Sequence, residues 1–107
     1  MRMLGQMQLE TMVKEFLESE RPEMYRRLKQ SKELDALATS RAEAARESYL
    51  DAMDMSTEEV RAMNQAEKET PGLGQSQYWK MRDSRIVEEI LNQMLDFQRE
   101  AEVDESI

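Results

Sequence analysis

The chain has 107 residues, 36% charged and 39% hydrophobic, with 15 Lys and Arg against 23 Asp and Glu. Three Gly, two Pro and scarcely any β-branched runs favour helices and set aside a sandwich, a barrel or a doubly wound sheet. The absence of His and Cys excludes Ser-His-Asp and Cys-His nucleophile pairs, imidazole bases, zinc knuckles and iron–sulfur ligation.

A net charge of −8 argues against nucleic acid and anionic membranes as partners unless the basic residues gather on one face. They do cluster in sequence. Residues 21–32 hold five basic residues against Glu23, and residues 80–85 hold Lys80, Arg82 and Arg85 against Asp83, which leaves −14 on the rest of the chain. No stretch approaches the roughly 20 apolar residues of a membrane span. Met1-Arg2-Met3-Leu4-Gly5-Gln6 lacks the apolar core of a secretory signal, so the expected compartment is the cytoplasm.

In chain order, Leu9, Met12, Val13, Phe16 and Leu17 recur at three and four, with Met7 one step earlier, and predict an amphipathic helix over Leu4 to Ser19. Pro22 suits the first turn of a new helix and pushes the preceding residue out of helical geometry, which predicts a bend at Glu20 and Arg21. Met24, Tyr25 and Leu28 form the apolar side of a short helix whose wet side carries Arg26, Arg27 and Lys29. The pattern leaves open whether this helix runs on through Gln30-Ser31-Lys32. A long helix follows from about Glu33 to Met55, marked by Leu34, Leu37, Ala38, Ala42, Ala45, Tyr49, Ala52 and Met53. Its alanines allow close packing.

Ser56-Thr57-Glu58-Glu59 has the form of a capping box and predicts a helix start at Thr57, with Val60, Met63 and Ala66 turned inward. Thr70-Pro71-Gly72-Leu73-Gly74 is the strongest breaker and the expected main loop. The last long helix, Ser76 to Glu100, places Trp79, Ile86, Ile90, Met94 and Phe97 on one stripe. Residues 102–107 read as an acidic flexible tail beyond a single helical domain over 1–101. The fold class is therefore all-α, a small bundle of four to five helices in which the two long ones pack antiparallel.

Carboxylates are the one side-chain class left for acid–base or metal work. Glu43, Glu47, Asp51 and Asp54 step by four, four and three and form a candidate acidic face. Glu15 and Glu18, with Asp51 and Asp54, faintly follow the carboxylate spacing of helical nucleotide pyrophosphohydrolases, which raises a magnesium-dependent nucleotide hydrolase as an alternative. A solvated face accounts for the same spacing, and no catalytic, metal or cofactor residues are assigned. The basic clusters have aromatic company, so Tyr25, Arg26, Arg27 and Lys29, with Trp79, Lys80, Arg82 and Arg85, form a candidate interaction surface. Direct nucleic-acid binding through it requires both clusters on one face. Gly72-Leu73-Gly74 lacks the Lys-Ser/Thr of a phosphate loop and reads as a connector. Ten methionines suit a core, a plastic binding groove or a dimer seam, and the core is taken as their main place.

Phe16-Leu17-Glu18-Ser19-Glu20-Arg21-Pro22-Glu23-Met24-Tyr25, then Leu28, Leu34, Leu37 and Ala45, resembles the first half of small TnpV-like proteins encoded on transposons and related mobile elements. Trp79, Arg85 and Glu88-Glu89-Ile90 look like that family's C-terminal helix, and the resemblance spans about Gly5 to Leu95. It implies an all-helical accessory protein of a mobile element or phage. The expected function is a non-enzymatic interaction protein, needing no cofactor, that binds a protein partner and self-associates as a homodimer. The acidic balance supports a further alternative, a decoy that inhibits a nucleic-acid-binding enzyme.

Overall fold

The computed structural model describes residues 3–98. Its helices are α1 (Gln6–Glu20), α2 (Pro22–Ser31), α3 (Leu34–Ala52), α4 (Thr57–Glu69) and α5 (Gly74–Met94), and no strand occurs among the described residues.

The core follows from the 3.6-residue repeat of α1 and α3. Leu9, Val13 and Leu17 recur every four residues and are fully buried, facing the stripe of Leu34, Ala38, Ala42 and Ala45. The alanines let the two helices approach closely, and Ile90, Met94 and Phe97 from the end of the chain complete the cluster. Gln6 donates to the Thr39 carbonyl and Lys14 pairs with Asp35 at 2.5 Å, so α1 runs antiparallel to α3 and covers only its first half.

Each helix break has a local cause. Arg21 leaves helical geometry (φ −137°, ψ 61°) and Pro22 opens α2 at its first turn, where no N–H is needed. α2 does not run on into α3: Lys32 takes the left-handed conformation (φ 63°), and Glu33 N–H closes the helix end on the Leu28 carbonyl at 2.9 Å. The capping box is formed as the sequence predicts. Glu59 N–H donates to Ser56 Oγ at 3.1 Å, and Ser56 N–H donates back to the Glu59 carboxylate at 3.4 Å.

Between α4 and α5 the two glycines do different work. Gly72 supplies the positive φ (85°), whereas Gly74 opens α5 pressed against α4, where an added Cβ would fall 1.9 Å from the Ala66 carbonyl oxygen. The Glu67 carboxylate closes this turn by accepting from Gly72 N–H at 2.7 Å and Gln75 N–H at 3.1 Å. The Gln75 N–H lies in the first turn of α5, where it has no intrahelical acceptor, and the Gly72 N–H lies in the turn just before it.

Both long helices end earlier than the sequence pattern indicates. α3 stops at Ala52 rather than Met55, because Arg82 takes the Ala52 and Asp54 carbonyls. α5 stops at Met94 rather than Glu100, because Arg41 reaches the Gln93 and Met94 carbonyls at 3.3 and 3.4 Å. Beyond it the chain folds back on α1: Arg21 donates to the Phe97 and Gln98 carbonyls, and Phe97 stacks on Phe16 with ring centroids 6.1 Å apart. The Arg41 guanidinium covers the Phe97 ring at 4.3 Å. The tail assigned to 102–107 lies outside the described residues.

Tyr49 OH donates to Asp83 at 2.6 Å near one end of the α3–α5 pair, and Arg41 meets Gln93 near the other. The two long helices are therefore antiparallel. The N-terminal half of α5 extends past the end of α3 and pairs with α4 instead, forming a two-helix arm. The molecule measures 57 × 31 × 20 Å, with a radius of gyration of 18.4 Å. A compact chain of this length has about 13 Å.

Methionine fills the core only in part. Among the described residues Met94 is buried and Met3, Met12 and Met24 are partly buried against the core, whereas Met7, Met81 and Met53 are 80%, 75% and 38% exposed. Met7 lies two residues before Leu9, off the Leu9–Val13–Leu17 line.

Gly74→Ala should separate α4 from α5 and cost about 1–3 kcal/mol by overpacking, read as a lowered urea midpoint with little change in far-ultraviolet circular dichroism.

Candidate functional site

The α2 cluster is presented to solvent. Arg26, Arg27 and Lys29 are exposed and Tyr25 is half-buried, with the Lys29 ammonium 5.6 Å from the centre of its ring. Together with Glu18, Pro22 and Gln30, three of these four side chains line an open groove of about 450 Å³. The second cluster divides. Lys80 and Arg85 are exposed and Trp79 is half-buried, but Arg82 is 5% exposed and is not part of a surface.

The two clusters do not form one face. α2 joins α3 at its N-terminal end, whereas Arg82 binds the last carbonyls of α3. The helix between them is 19 residues long, about 27 Å at 1.5 Å per residue.

Arg82 is buried because its donors meet acceptors at two helix ends, the C-terminus of α3 and the N-terminus of α4. Its Nη2 donates to the Ala52 carbonyl at 2.7 Å and to the Asp54 carbonyl at 3.4 Å, and its Nε pairs with the Glu59 carboxylate in the first turn of α4. Trp79, one turn earlier in α5, lies beneath the guanidinium with its ring centre 5.6 Å away. A cation at the C-terminus of α3 and an anion at the N-terminus of α4 each complement the local helix dipole. Arg82 Nη1 is buried without a hydrogen-bond partner. Periodicity places Arg82 near a charged cluster in sequence, so it reads as surface; its helix-capping role depends on where α3 ends in space.

The hydrogen bond from Arg82, followed by that from Ser56 N–H, holds the Glu59 carboxyl below the ordinary carboxylate range against an opposing desolvation effect. The N–H groups of Gly72 and then Gln75 lower Glu67 in the same sense. Both carboxylates thus act as local clasps for the ends of α4.

The acidic face is only partly assembled. Glu43, Glu47 and Asp51 are exposed on α3, but Asp54 lies past the helix end and leaves the row. The first half of the hydrolase-like spacing does not face the second. Glu15 and Glu18 follow Lys14, which is level with Asp35, while Asp51 lies about 24 Å further along α3. Among the described residues no three carboxylates converge closely enough to hold a metal ion, and no helix is long and apolar enough to cross a membrane.

Sequence reading missed Arg21, Arg41 and Glu67. Each caps main-chain groups exposed by a helix end, and the signal for such a role appears only once the ends are located. No family model, curated protein or solved structure matches the chain.

Arg82→Ala should orphan the Ala52 and Asp54 carbonyls and cost about 2 kcal/mol or more. Amide hydrogen exchange in α4 should accelerate while the Leu9–Leu17 face of α1 keeps its protection. The folded state binds fewer protons at Glu59 and Glu67 than the unfolded chain does in the acid range. Stability is therefore full above about pH 5 and falls as pH drops through the ordinary carboxylate value and then the lowered folded ones. Denaturation midpoints between pH 7 and pH 3 should show this slope, and Glu59→Gln with Glu67→Gln should flatten it.

Proposed function

We propose that this chain is a non-enzymatic helical interaction protein, an accessory protein of a mobile genetic element or phage, that works in the cytoplasm by binding protein and by self-association. The observation that carries the reading is the apolar surface left open on a small elongated body. Met7, Met81, Leu50 and Leu73 are 80%, 75%, 67% and 57% exposed. Scattered exposed apolar residues are ordinary, but no side chain of α4 is fully buried, and where the helix packs on α5 its Met63 and Ala66 are only half-buried.

The non-enzymatic part of the reading is supported by the residue types present and by carboxylates that are spread along α1 and α3. Its mobile-element part rests on the TnpV-like spacing of Phe16 to Tyr25, Leu28, Leu34, Leu37 and Ala45, followed by Trp79, Arg85 and Glu88-Glu89-Ile90.

Light scattering behind size-exclusion chromatography, over a range of loading concentrations, should give twice the 12.6 kDa of one chain. A single-chain mass throughout, combined with no partner in a pull-down from the host, would falsify the reading.

A further inference from the structure

We propose that the chain's own acidic segment, Glu100 to Glu105, docks in cis along the basic groove of α2 and covers it. The proposal stands apart from self-association and concerns the surface made by Tyr25, Arg26 and Lys29.

The point where the described chain stops sets what the segment can reach. Arg21 donates from Nε to the Gln98 carbonyl at 2.8 Å and from Nη2 to the Phe97 carbonyl at 3.1 Å. The same Arg21 is the residue that precedes Pro22 at the start of α2. Gln98 is therefore held at the N-terminal end of α2, which is also the positive pole of that helix. From there α2 runs 10 residues, about 15 Å. Residues 99–107 span up to about 30 Å when extended, so the full length of α2 lies within their reach.

Charge then selects the surface. Arg99 stands against Glu100, Glu102, Asp104 and Glu105, which leaves the segment at −3. Glu100, Glu102 and Asp104 alternate along the chain, so an extended backbone places all three on one edge. On α2, Arg26, Arg27 and Lys29 are exposed, and among the described residues no carboxylate forms an ion pair with them. Arg26 and Lys29 lie one turn apart and line the groove together with Pro22, Tyr25 and Gln30, with Glu18 the one acidic residue on its described wall. The other cations are engaged or distant. Lys14 is paired with Asp35, Arg41 covers Phe97 and Arg82 is buried. Arg46 sits between Glu43 and Glu47 on α3, and Lys80 and Arg85 belong to the far end of that helix, about 27 Å away.

Tethering favours this occupant over a separate polyanion. An acidic molecule approaching from solution meets a net charge of −8 and is repelled at long range. A segment attached beside the groove is presented at a millimolar effective concentration without crossing that field. Exposed ion pairs are individually weak, so attachment next to α2 and several charges acting together hold the segment in place. A protein that binds α2 has to displace it, which makes the segment an autoinhibitory cover for the groove.

Because the chain has no cysteine, disulfide formation in the full chain reads the contact directly. Val103→Cys is combined with Gln30→Cys at the groove or with Thr11→Cys, an exposed position on α1 that lies about as far from Arg21 along its own helix. Under mild oxidation at low salt the Gln30 pair should close within one chain several-fold faster than the Thr11 pair. That advantage should vanish at about 1 M salt, where screening confines charge interactions to about 3 Å, and in a variant that also carries Arg26→Glu and Lys29→Glu. A second measurement uses no cysteine: Glu100→Gln, Glu102→Gln, Asp104→Asn and Glu105→Gln together should move the amide NMR signals of residues 22–32 and leave those of α4 in place. Equal closure rates, an advantage that survives both salt and charge reversal, or unmoved α2 signals overturn the proposal. Disulfides that form between two chains instead of within one also overturn it, and assign the groove to the acidic segment of a second copy.

Discussion

The guanidinium of Arg82 joins the carbonyl end of α3 to the first turn of α4 from a position inside α5. Burying a cation is costly, and the cost is offset here by a carboxylate on one side, two main-chain oxygens on another and the face of Trp79 beneath. The planar fork of arginine can address acceptors in two directions at once, which a lysine ammonium on a flexible stem does less well. The layout of the second half of the chain depends on this junction. It stops α3 at Ala52, fixes the direction in which α4 departs, and turns α5 into a helix shared by two structural units.

The two units differ in how they are held. The body is stabilised by burial, with Leu9, Val13, Leu17, Ala38 and Ala42 fully removed from water. The arm is stabilised by polar clasps at its ends: the Ser56–Glu59 capping box and Arg82 at its base, and Glu67 with the close Gly74–Ala66 approach at its tip. Clasps fix geometry but remove little apolar surface from water. That contrast explains why an element with well-defined ends can still leave its sides open.

Much of the fold was legible from single residues. The four-residue recurrence of Leu9, Val13 and Leu17, the alanine stripe of α3, Pro22 and the Ser56–Glu59 box each act over one or two turns, and the helices they announce are present. The ends of the long helices were not legible, since Arg82 and Arg41 reach their carbonyls from 30 and 53 residues away. The same cause misplaced part of the candidate surface. A basic residue three positions after Trp79 reads as solvated charge, and only the arrival of the α3 terminus makes burial of Arg82 favourable. The basic clusters likewise read as candidates for one face, whereas a rigid α3 keeps them apart.

The sequence by itself determined the helical class, the points of bending and the absence of His and Cys chemistry, because these follow from residue types and from interactions between near neighbours along the chain. Tertiary structure decided where the long helices stop, which charges are buried, which methionines reach the core, and that α5 outruns its cover to form an arm. Those outcomes depend on which helix end comes to lie beside which side chain. Periodicity describes one helix at a time and carries no information about that meeting.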